Sequence, residues 1–319
     1  MRILLATDGS TSSAMAATLV ENIPWPLGTS IDIVRVVDDA IPNRIEGPWP
    51  LGLSVGSDIQ AADIQDAEDS LVEAAKAFRR LGLTTEHAVL RGRPADALLD
   101  RIDRHRPDVV VVGTRGSSVV TQALVGSVSA ELIDRSPVPV LVARRPTLER
   151  VVVAVDGSEI ASEAVSTVRR LTFLAATTIQ TLSVATEPVM WWPDALIAGR
   201  ADRAGQDQDA AADALDEHRT FAANAAATLR AAGFDARPEI RWGLPGPAVV
   251  GFASEVQADL VVLGSHGRTG VARLLLGSVA RHVLHHSSSS VLVVRRHADP
   301  VRGKRMKTAD APWTLAPSH

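Results

Sequence analysis

The sequence lacks several features on which whole classes of protein depend. Its 319 residues contain no cysteine, which excludes disulfide frameworks, thiolate nucleophiles and zinc–thiolate sites. The formal net charge is −4, so the basic excess usual in nucleic-acid-binding proteins is missing and no nucleic-acid partner is expected. Only 22% of the residues are charged and 46% are hydrophobic, so the chain can bury extensive cores.

Long apolar segments are missing as well. No run of about 18 apolar residues occurs, so the sequence predicts neither a transmembrane helix nor a membrane partner. The first apolar run reaches Asp8 almost at once and no small-residue cleavage site follows it, so no signal peptide is expected. The sequence therefore predicts a cytoplasmic protein.

What the sequence does contain is an internal repeat. The segment RILLATDGS at residues 2–10 recurs as RVVVAVDGSE at residues 150–159. Gly82 matches Gly233, and from there residues recur at a constant offset of 151, over roughly 60 positions, which chance does not produce. We therefore predict two copies of one domain, at residues 1–145 and 149–297, followed by a disordered tail at residues 298–319.

Strand and helix patterns alternate within each copy. The continuous apolar runs at residues 3–7 and 151–155 are typical of strands that are buried on both faces. Serines beginning with Ser10 and Ser158 are candidate N-caps of a first helix, and Gly82 and Gly233 stand where a glycine ends a long helix. This alternation predicts an α/β fold class with two tandem doubly wound domains, whose ligand sites lie beyond the carboxyl ends of parallel strands.

A glycine motif follows the fourth predicted strand of each copy. Its spacing is Gly-x2-Gly-x9-Gly-Ser, and it consists of Gly113, Gly116, Gly126 and Ser127 in the first copy and of Gly264, Gly267, Gly277 and Ser278 in the second. Glycines let a backbone turn sharply and approach a ligand, and successive N–H groups in such a turn form an anion-binding nest. The same spacing after a buried strand, found twice, predicts phosphate binding in both copies.

These features together resemble the universal stress protein family, in its ATP-binding branch. The resemblance rests on the glycine motif, on the Asp-Gly-Ser end of the first strand and on the run GSHGRTGVARLLLGSVARHVLHHSSSSVLVVRR. It covers nearly the whole chain and leaves out only the tail. It implies that each copy is a five-stranded parallel sheet in the order 3-2-1-4-5, with ATP, accompanied by Mg²⁺, across the carboxyl edge of the sheet.

The resemblance also implies a role for each site residue. Asp8 and Asp156 would lie at the adenine and ribose end, and Val36 and Val184 on the second strand would line the adenine pocket. The first glycine of each motif would contact the ribose: Gly113 and Gly264. The remaining motif residues would hold the phosphates: Gly116, Gly126, Ser127, Gly267, Gly277 and Ser278.

Structural roles compete with ligand contact at three of these positions. Asp8 could serve only its turn, since Asp-Gly-Ser is ordinary turn chemistry. Ser127 and Ser278 fall inside a predicted helix, where a serine could face water. The recurrence of the motifs in both copies favours contact with a ligand.

Basic residues near the motif leave further alternatives. Arg115 and His266 occupy equivalent positions within the glycine turn, where each could reach a phosphate or be solvated. His282, His285 and His286 could suggest a metal, but they lie near a predicted helix end without neighbouring carboxylates. We interpret these three histidines as residues of a helix C-terminus.

Three functions are compatible with these features. The chain could be a module whose ATP occupancy changes its shape or partners, a slow ATPase or phosphotransferase, or a structural double domain with vestigial sites. No Gly-x4-Gly-Lys-[Ser/Thr] loop, no lysine near the phosphates and no paired-carboxylate base is evident, which favours nucleotide binding for stress signalling over catalysis. Whether the chain turns ATP over stays open.

The resemblance also concerns assembly, because single-domain relatives are typically dimers whose last strands pair edge to edge. We predict that residues 138–143 and 291–294 pair in this way within one chain, which would cover an exposed sheet edge. The chain would then be an intramolecular pseudo-dimer. A further homodimer of two chains and the identity of a protein partner stay open.

Overall fold

The computed structural model describes residues 1–38, 55–114, 125–186, 201–267 and 276–295, and for residues 55–62 and 201–211 it describes the backbone alone. Gly116, Arg115 and the tail at residues 298–319 lie outside the described residues. Among the described helices, none is long and apolar enough to cross a membrane.

The first half of the chain alternates strands and helices. Its elements are β1 (Arg2–Thr7), α1 (Thr11–Asn22), β2 (Ser30–Val37), α2 (Val55–Arg80), β3 (Thr84–Arg91), α3 (Pro94–His105), β4 (Val109–Gly113), α4 (Ser127–Arg135) and β5 (Val140–Ala143).

The second half repeats this order and adds a short 3-10 helix. Its elements are β6 (Arg150–Ala154), α5 (Glu159–Arg170), the 3-10 helix (Thr172–Ala176), β7 (Thr178–Ala185), α6 (Ala201–Arg230), β8 (Asp235–Trp242), α7 (Pro245–Glu255), β9 (Leu260–Gly264), α8 (Ser278–His286) and β10 (Ser290–Val294).

The ten strands of the described residues form one sheet in the order β3-β2-β1-β4-β5-β10-β9-β6-β7-β8. Each half has the predicted order 3-2-1-4-5, and its strands run parallel. The α/β fold class is confirmed, and the two five-stranded sheets are continuous with each other. They join where β5 and β10 pair antiparallel, with Val142 opposite Val291 and Val140 opposite Val293, a contact that we call the seam. The predicted pairing of the last strands is thus observed within one chain.

Helices cover both faces of the sheet because the central strands alternate their apolar side chains between the two faces. Ile3 and Leu5 pack in a core with α1, α2, α5 and α6, while Leu4 packs in a second core with α3, α4, α7 and α8. All three side chains are buried. The continuous apolar runs in the sequence reflect this burial on both faces.

Local signals place the helix ends as the sequence predicts. The hydroxyl of Ser10 accepts the N–H of Ser13 at 3.2 Å, and the hydroxyl of Ser158 accepts the N–H of Ala161 at 3.1 Å, so both serines cap their helices. After the long helices α2 and α6, Gly82 and Gly233 adopt φ angles of 83° and 92°. This left-handed conformation suits glycine and ends the helix.

Arginines that follow the last strand of each half reach across the seam. The guanidinium of Arg144 donates to the carbonyl of Leu284 at 2.5 Å, near the end of α8. In the matching position of the second half, Arg295 donates to the carbonyl of Ile133 at 3.4 Å, near the end of α4. Positive charge near a helix C-terminus is favourable, so each half stabilises a helix of the other.

Truncation of a core side chain at the seam tests this architecture. Leu292 of β10 faces Leu141 and is 1% exposed. We expect Leu292→Ala to lower the free energy of unfolding by about 2–5 kcal/mol, because it leaves a cavity in the core. The measurement is urea unfolding followed by circular dichroism.

The matched control for this prediction is Leu27→Ala, since the side chain of Leu27 is fully exposed. This variant should change the free energy of unfolding by less than about 0.5 kcal/mol. Equal effects of the two substitutions would contradict the burial that the seam requires.

Candidate functional site

A crevice opens at the carboxyl end of the central strands, where the segments that follow two neighbouring strands run to opposite faces of the sheet. In the second half, β6 and β9 are neighbours, and the helices that follow them, α5 and α8, pack on different faces. A cavity of about 1250 Å³ lies at this crevice. Six residues predicted from the sequence line it: Asp156, Val184, Gly264, Gly267, Gly277 and Ser278.

The Asp-Gly-Ser segments form the same turn in both halves. Oδ1 of Asp156 accepts the N–H of Ser158 at 3.0 Å, and Oδ1 of Asp8 accepts the N–H of Ser10 at 3.0 Å. Gly157 has a φ of 77°, which glycine adopts without strain. The turn role considered for the aspartate is therefore confirmed in both halves, while contact with a ligand stays a prediction.

Close packing fixes the glycine loop of the second half. The N–H of Ser265 donates to the carbonyl of Val294 at 2.8 Å, and the N–H of Gly277 donates to the carbonyl of Ser265 at 2.8 Å. A Cβ atom at Gly277 would lie 3.1 Å from that carbonyl oxygen, and one at Gly267 would lie 2.6 Å from Oδ2 of Asp156. Close packing, rather than a left-handed backbone, thus favours glycine at both positions, since a side chain would have to displace the Ser265 backbone or the Asp156 carboxylate.

The serine of each motif begins a helix. Ser127 is the first residue of α4 and Ser278 is the first residue of α8, with Gly126 and Gly277 as their N-caps. Both serines therefore belong to a helix, as predicted, but they occupy its first position rather than its interior. The apolar stripe that extended the predicted second-copy helix back to residue 271 lies outside the described residues. The first N–H groups of an α-helix lack carbonyl partners, so each of these ends suits an anion.

Apolar side chains also line the cavity. Val184 on β7 lines it together with Val155 and Leu182. His218 also lines it, and its Nδ1 atom lies 2.8 Å from the hydroxyl of Ser183, which donates to the carbonyl of Val155 at 2.8 Å. No sequence signal marked His218, because it lies in an alanine-rich helix and meets its partner only in the folded chain.

His266 lies within the glycine loop and lines the cavity. Its Nδ1 atom is 3.0 Å from the hydroxyl of Ser265, and its buried Nε2 atom has no hydrogen-bond partner among the residues that the structure describes. The alternative of a solvated side chain is therefore wrong for this atom. A buried nitrogen without a partner is costly, so a ligand that supplies one would be favoured here.

The histidines of α8 separate into two groups. His285 and His286 lie in its last turn, as the sequence predicts. His282 lies one turn earlier and lines the cavity, a position that we did not predict. Burial, together with the nearby His286 and His285, lowers the pKa of His282 from its ordinary value. Its ring stacks on that of His286, with a centroid distance of 4.1 Å.

The first half places its predicted residues at matching positions. Asp8 follows β1, Val36 lies on β2, Gly113 ends β4, and Gly126 and Ser127 begin α4.

The surroundings differ between the halves. Arg35 of β2 stands where β7 has Ser183, and its guanidinium contacts the hydroxyl of Ser70 at 3.2 Å and the carboxylate of Asp66 at 3.4 Å. The guanidinium also lies close to Gly9. A cation therefore borders the first aspartate turn, where the second half has a hydroxyl and a histidine.

The two glycines that end β4 and β9 tolerate a side chain differently. A Cβ atom at Gly113 would lie 2.6 Å from the backbone of Ser12, whereas one at Gly264 would meet a side-chain methyl of Ile160 at 2.5 Å. Backbone cannot yield as a side chain can. We expect Gly113→Ala to lower the free energy of unfolding by about 1–3 kcal/mol, measured by urea unfolding.

Gly251→Ala is the matched control for this prediction. Gly251 lies in helix α7 with no atom within 4 Å of an added Cβ, so alanine there should raise stability by up to about 1 kcal/mol. If Gly113→Ala also left stability unchanged or raised it, the close approach of α1 to β4 would be refuted.

The chain is similar to known proteins over nearly all of its length. The universal stress protein family profile matches twice, at residues 1–144 and 147–295. Universal stress protein Rv2005c of Mycobacterium tuberculosis is 26% identical over 313 residues, which cover 92% of this chain and 97% of that protein. Universal stress protein MJ0531 of Methanocaldococcus jannaschii is 27% identical over 150 residues, which cover 46% of this chain and 84% of that protein.

A solved structure shares the fold. The crystal structure of a universal stress protein from Archaeoglobus fulgidus matches with a TM-score of 0.62 and 20% sequence identity, over 92% of this chain and 98% of that chain. Together with the repeated motif and the doubly wound halves, the two matches to the family profile show that the chain belongs to the universal stress protein family.

Proposed function

We propose that this protein binds ATP at the carboxyl edge of each half and acts as a nucleotide-dependent module in a stress response. The observation that carries the proposal is the convergence of six residues from separate segments on one cavity in the second half. The volume of about 1250 Å³ accommodates a nucleotide, since ligand pockets commonly measure roughly 300–1000 Å³.

The chemistry of the cavity walls supports one orientation of the nucleotide. Apolar side chains around Val184 suit a base, whereas the glycine loop and the start of α8 offer N–H groups to phosphates. Asp156 follows β6, which lies between β7 and β9 in the sheet, and it would bind ribose hydroxyls. Gly264 would contact the ribose, and Gly267, Gly277 and Ser278 would hold the phosphates.

The first half would bind a nucleotide through its matching residues. These are Asp8, Val36, Gly113, Gly116, Gly126 and Ser127. We propose the domain limits 1–145 and 149–297, with residues 298–319 as a tail. A Mg²⁺ ion would accompany the phosphates and be held mainly by their oxygens, as is usual for this cation.

The residues that line the cavity favour ATP binding without rapid ATP hydrolysis. Among the described residues that line it, no lysine occurs and Asp156 carries the one carboxylate, one oxygen of which is engaged in the turn to Ser158. Fast phosphoryl transfer requires a residue that orients or activates the attacking group, in addition to a phosphate cradle. Slow hydrolysis is the alternative outcome.

The proposal is tested first on the native protein. Denaturing the purified protein should release an adenine nucleotide that mass spectrometry identifies, and calorimetry of the nucleotide-free protein with Mg-ATP should give two sites per chain. Phosphate release measured in parallel distinguishes slow hydrolysis from binding alone. The absence of both nucleotide release and calorimetric binding would refute the proposal.

A single-residue variant tests the position of the second site. In Gly267→Ala the added Cβ would lie 2.6 Å from Oδ2 of Asp156, which forces the carboxylate and the loop apart. We expect at least about tenfold weaker binding at one of the two sites, which corresponds to a loss of about 1.4 kcal/mol. Gly251→Ala adds the same methyl group outside the cavity and should bind like the native protein. Equal affinities for Mg-ATP in both variants would refute the assignment of Gly267 to the second nucleotide site.

A further inference from the structure

In the second half, we call the residues proposed to hold the phosphates the phosphate cradle: Gly267, Gly277 and Ser278. The halves differ at one position beside this cradle. His282 is the fifth residue of α8, and Glu131 is the fifth residue of α4. Glu131 accepts hydrogen bonds from Arg93 at 2.8 Å and from Arg135. The first half thus has a fixed ion-pair network here, while the second half has an imidazole that can gain or lose a proton near neutral pH.

The position of His282 directs it towards the cradle. Ser278 and His282 are four residues apart, so they lie on the same face of α8, and side chains in a helix lean towards its N-terminus. Both residues line the same cavity. On its other side the imidazole packs on Gly246 of α7, where an added Cβ would lie 2.9 Å from Cγ of His282. The helix and the glycine together hold the ring at the edge of the cavity.

We propose that His282 is a phosphate-recognition residue of the second site, neutral when the site is empty and protonated when a polyphosphate occupies it. The inference rests on the proposed function, because it requires phosphates at Gly277 and Ser278. It distinguishes the two sites, since the matching Glu131 is already paired with arginines. The proton that His282 gains comes from the solvent.

The charged groups around His282 support this behaviour. His286, stacked on it, and His285 oppose its protonation, and burial adds to their effect, so its pKa is lowered in the empty site. On α7, the one titratable residue is Glu255 at the far end, which pairs with Arg241. The other titratable residues in the described part of the cavity wall are Asp156, His218 and His266.

The direction of the pH dependence follows from these groups. A phosphate anion stabilises the protonated imidazole, so binding raises the pKa of His282 from its lowered value. Between the free and bound pKa values the protein takes up a proton on binding, and affinity increases as the pH falls through this window. A rise of about one pKa unit sets an upper limit of about tenfold on this gain in affinity. The limit is approached only well below the lowered pKa of the free protein, so a smaller gain is expected between pH 8 and pH 6.

Calorimetry and nuclear magnetic resonance test the proposal on the full chain. Calorimetric titrations with Mg-ATP in buffers of different ionisation enthalpy give the number of protons taken up. We expect fewer protons to be taken up by His282→Gln than by the native protein. The nucleotide exchanges the same protons with both proteins, so its contribution cancels in the difference. Glu131→Gln, at the matching position of the first half, should leave the number unchanged. In ¹³C-histidine-labelled protein, ATP should raise the pKa of His282 and adenosine should not.

A neighbouring variant provides a second readout. His286→Gln removes one of the groups that lower the pKa of His282, so this pKa should rise in the empty protein and fewer protons should be taken up near pH 6. Binding of ATP with an unchanged pKa of His282, or with equal proton uptake in His282→Gln, would overturn the inference and leave the proposed function intact. Absence of any nucleotide binding would overturn both.

Discussion

The antiparallel pairing of β5 with β10 is the contact on which the rest of this structure depends. Each half ends in a strand whose outer edge would otherwise present unpaired N–H and C=O groups, and such edges promote aggregation. The two edges satisfy each other, and the side chains of both strands are buried on both faces. The seam therefore converts two small domains into one sheet with a continuous core on each face. The arginines that follow the two strands extend this contact to the ends of α4 and α8.

Much of this arrangement could be predicted from the sequence because the repeat carries it twice. The constant offset located the equivalent strands, the buried runs predicted a parallel sheet, and the serines and glycines at the ends of helices predicted their limits. The start of α8 could not be predicted in this way, because apolar spacing continues across Gly277 and does not show where a helix begins. The Gly-Ser pair marks this start, so it belongs to the helix cap as well as to the loop.

The candidate site was predictable where it is made of backbone and not where it is made of side chains. Glycines at short fixed spacing indicate that the main chain closely approaches another part of the protein or a ligand. Gly267 and Gly277 are indeed crowded by neighbouring atoms. His218 and His282 reach the cavity from α6 and α8, and nothing in their local sequence distinguishes them from surface histidines. Their position depends on tertiary packing, such as the absence of a side chain at Gly246, which makes room for His282. Arg35 of the first half illustrates the same limit, because its contacts with Asp66 and Ser70 form only when β2 packs beside α2.

The direction of the strands at the seam determines how the two sites are presented to other molecules. Strands are parallel within each half but antiparallel across the seam, so the carboxyl ends of the two halves face different ways. The carboxyl edge of the first half and the crevice of the second half consequently lie at opposite edges of the continuous sheet. A contact that covers one of these edges leaves the other edge uncovered.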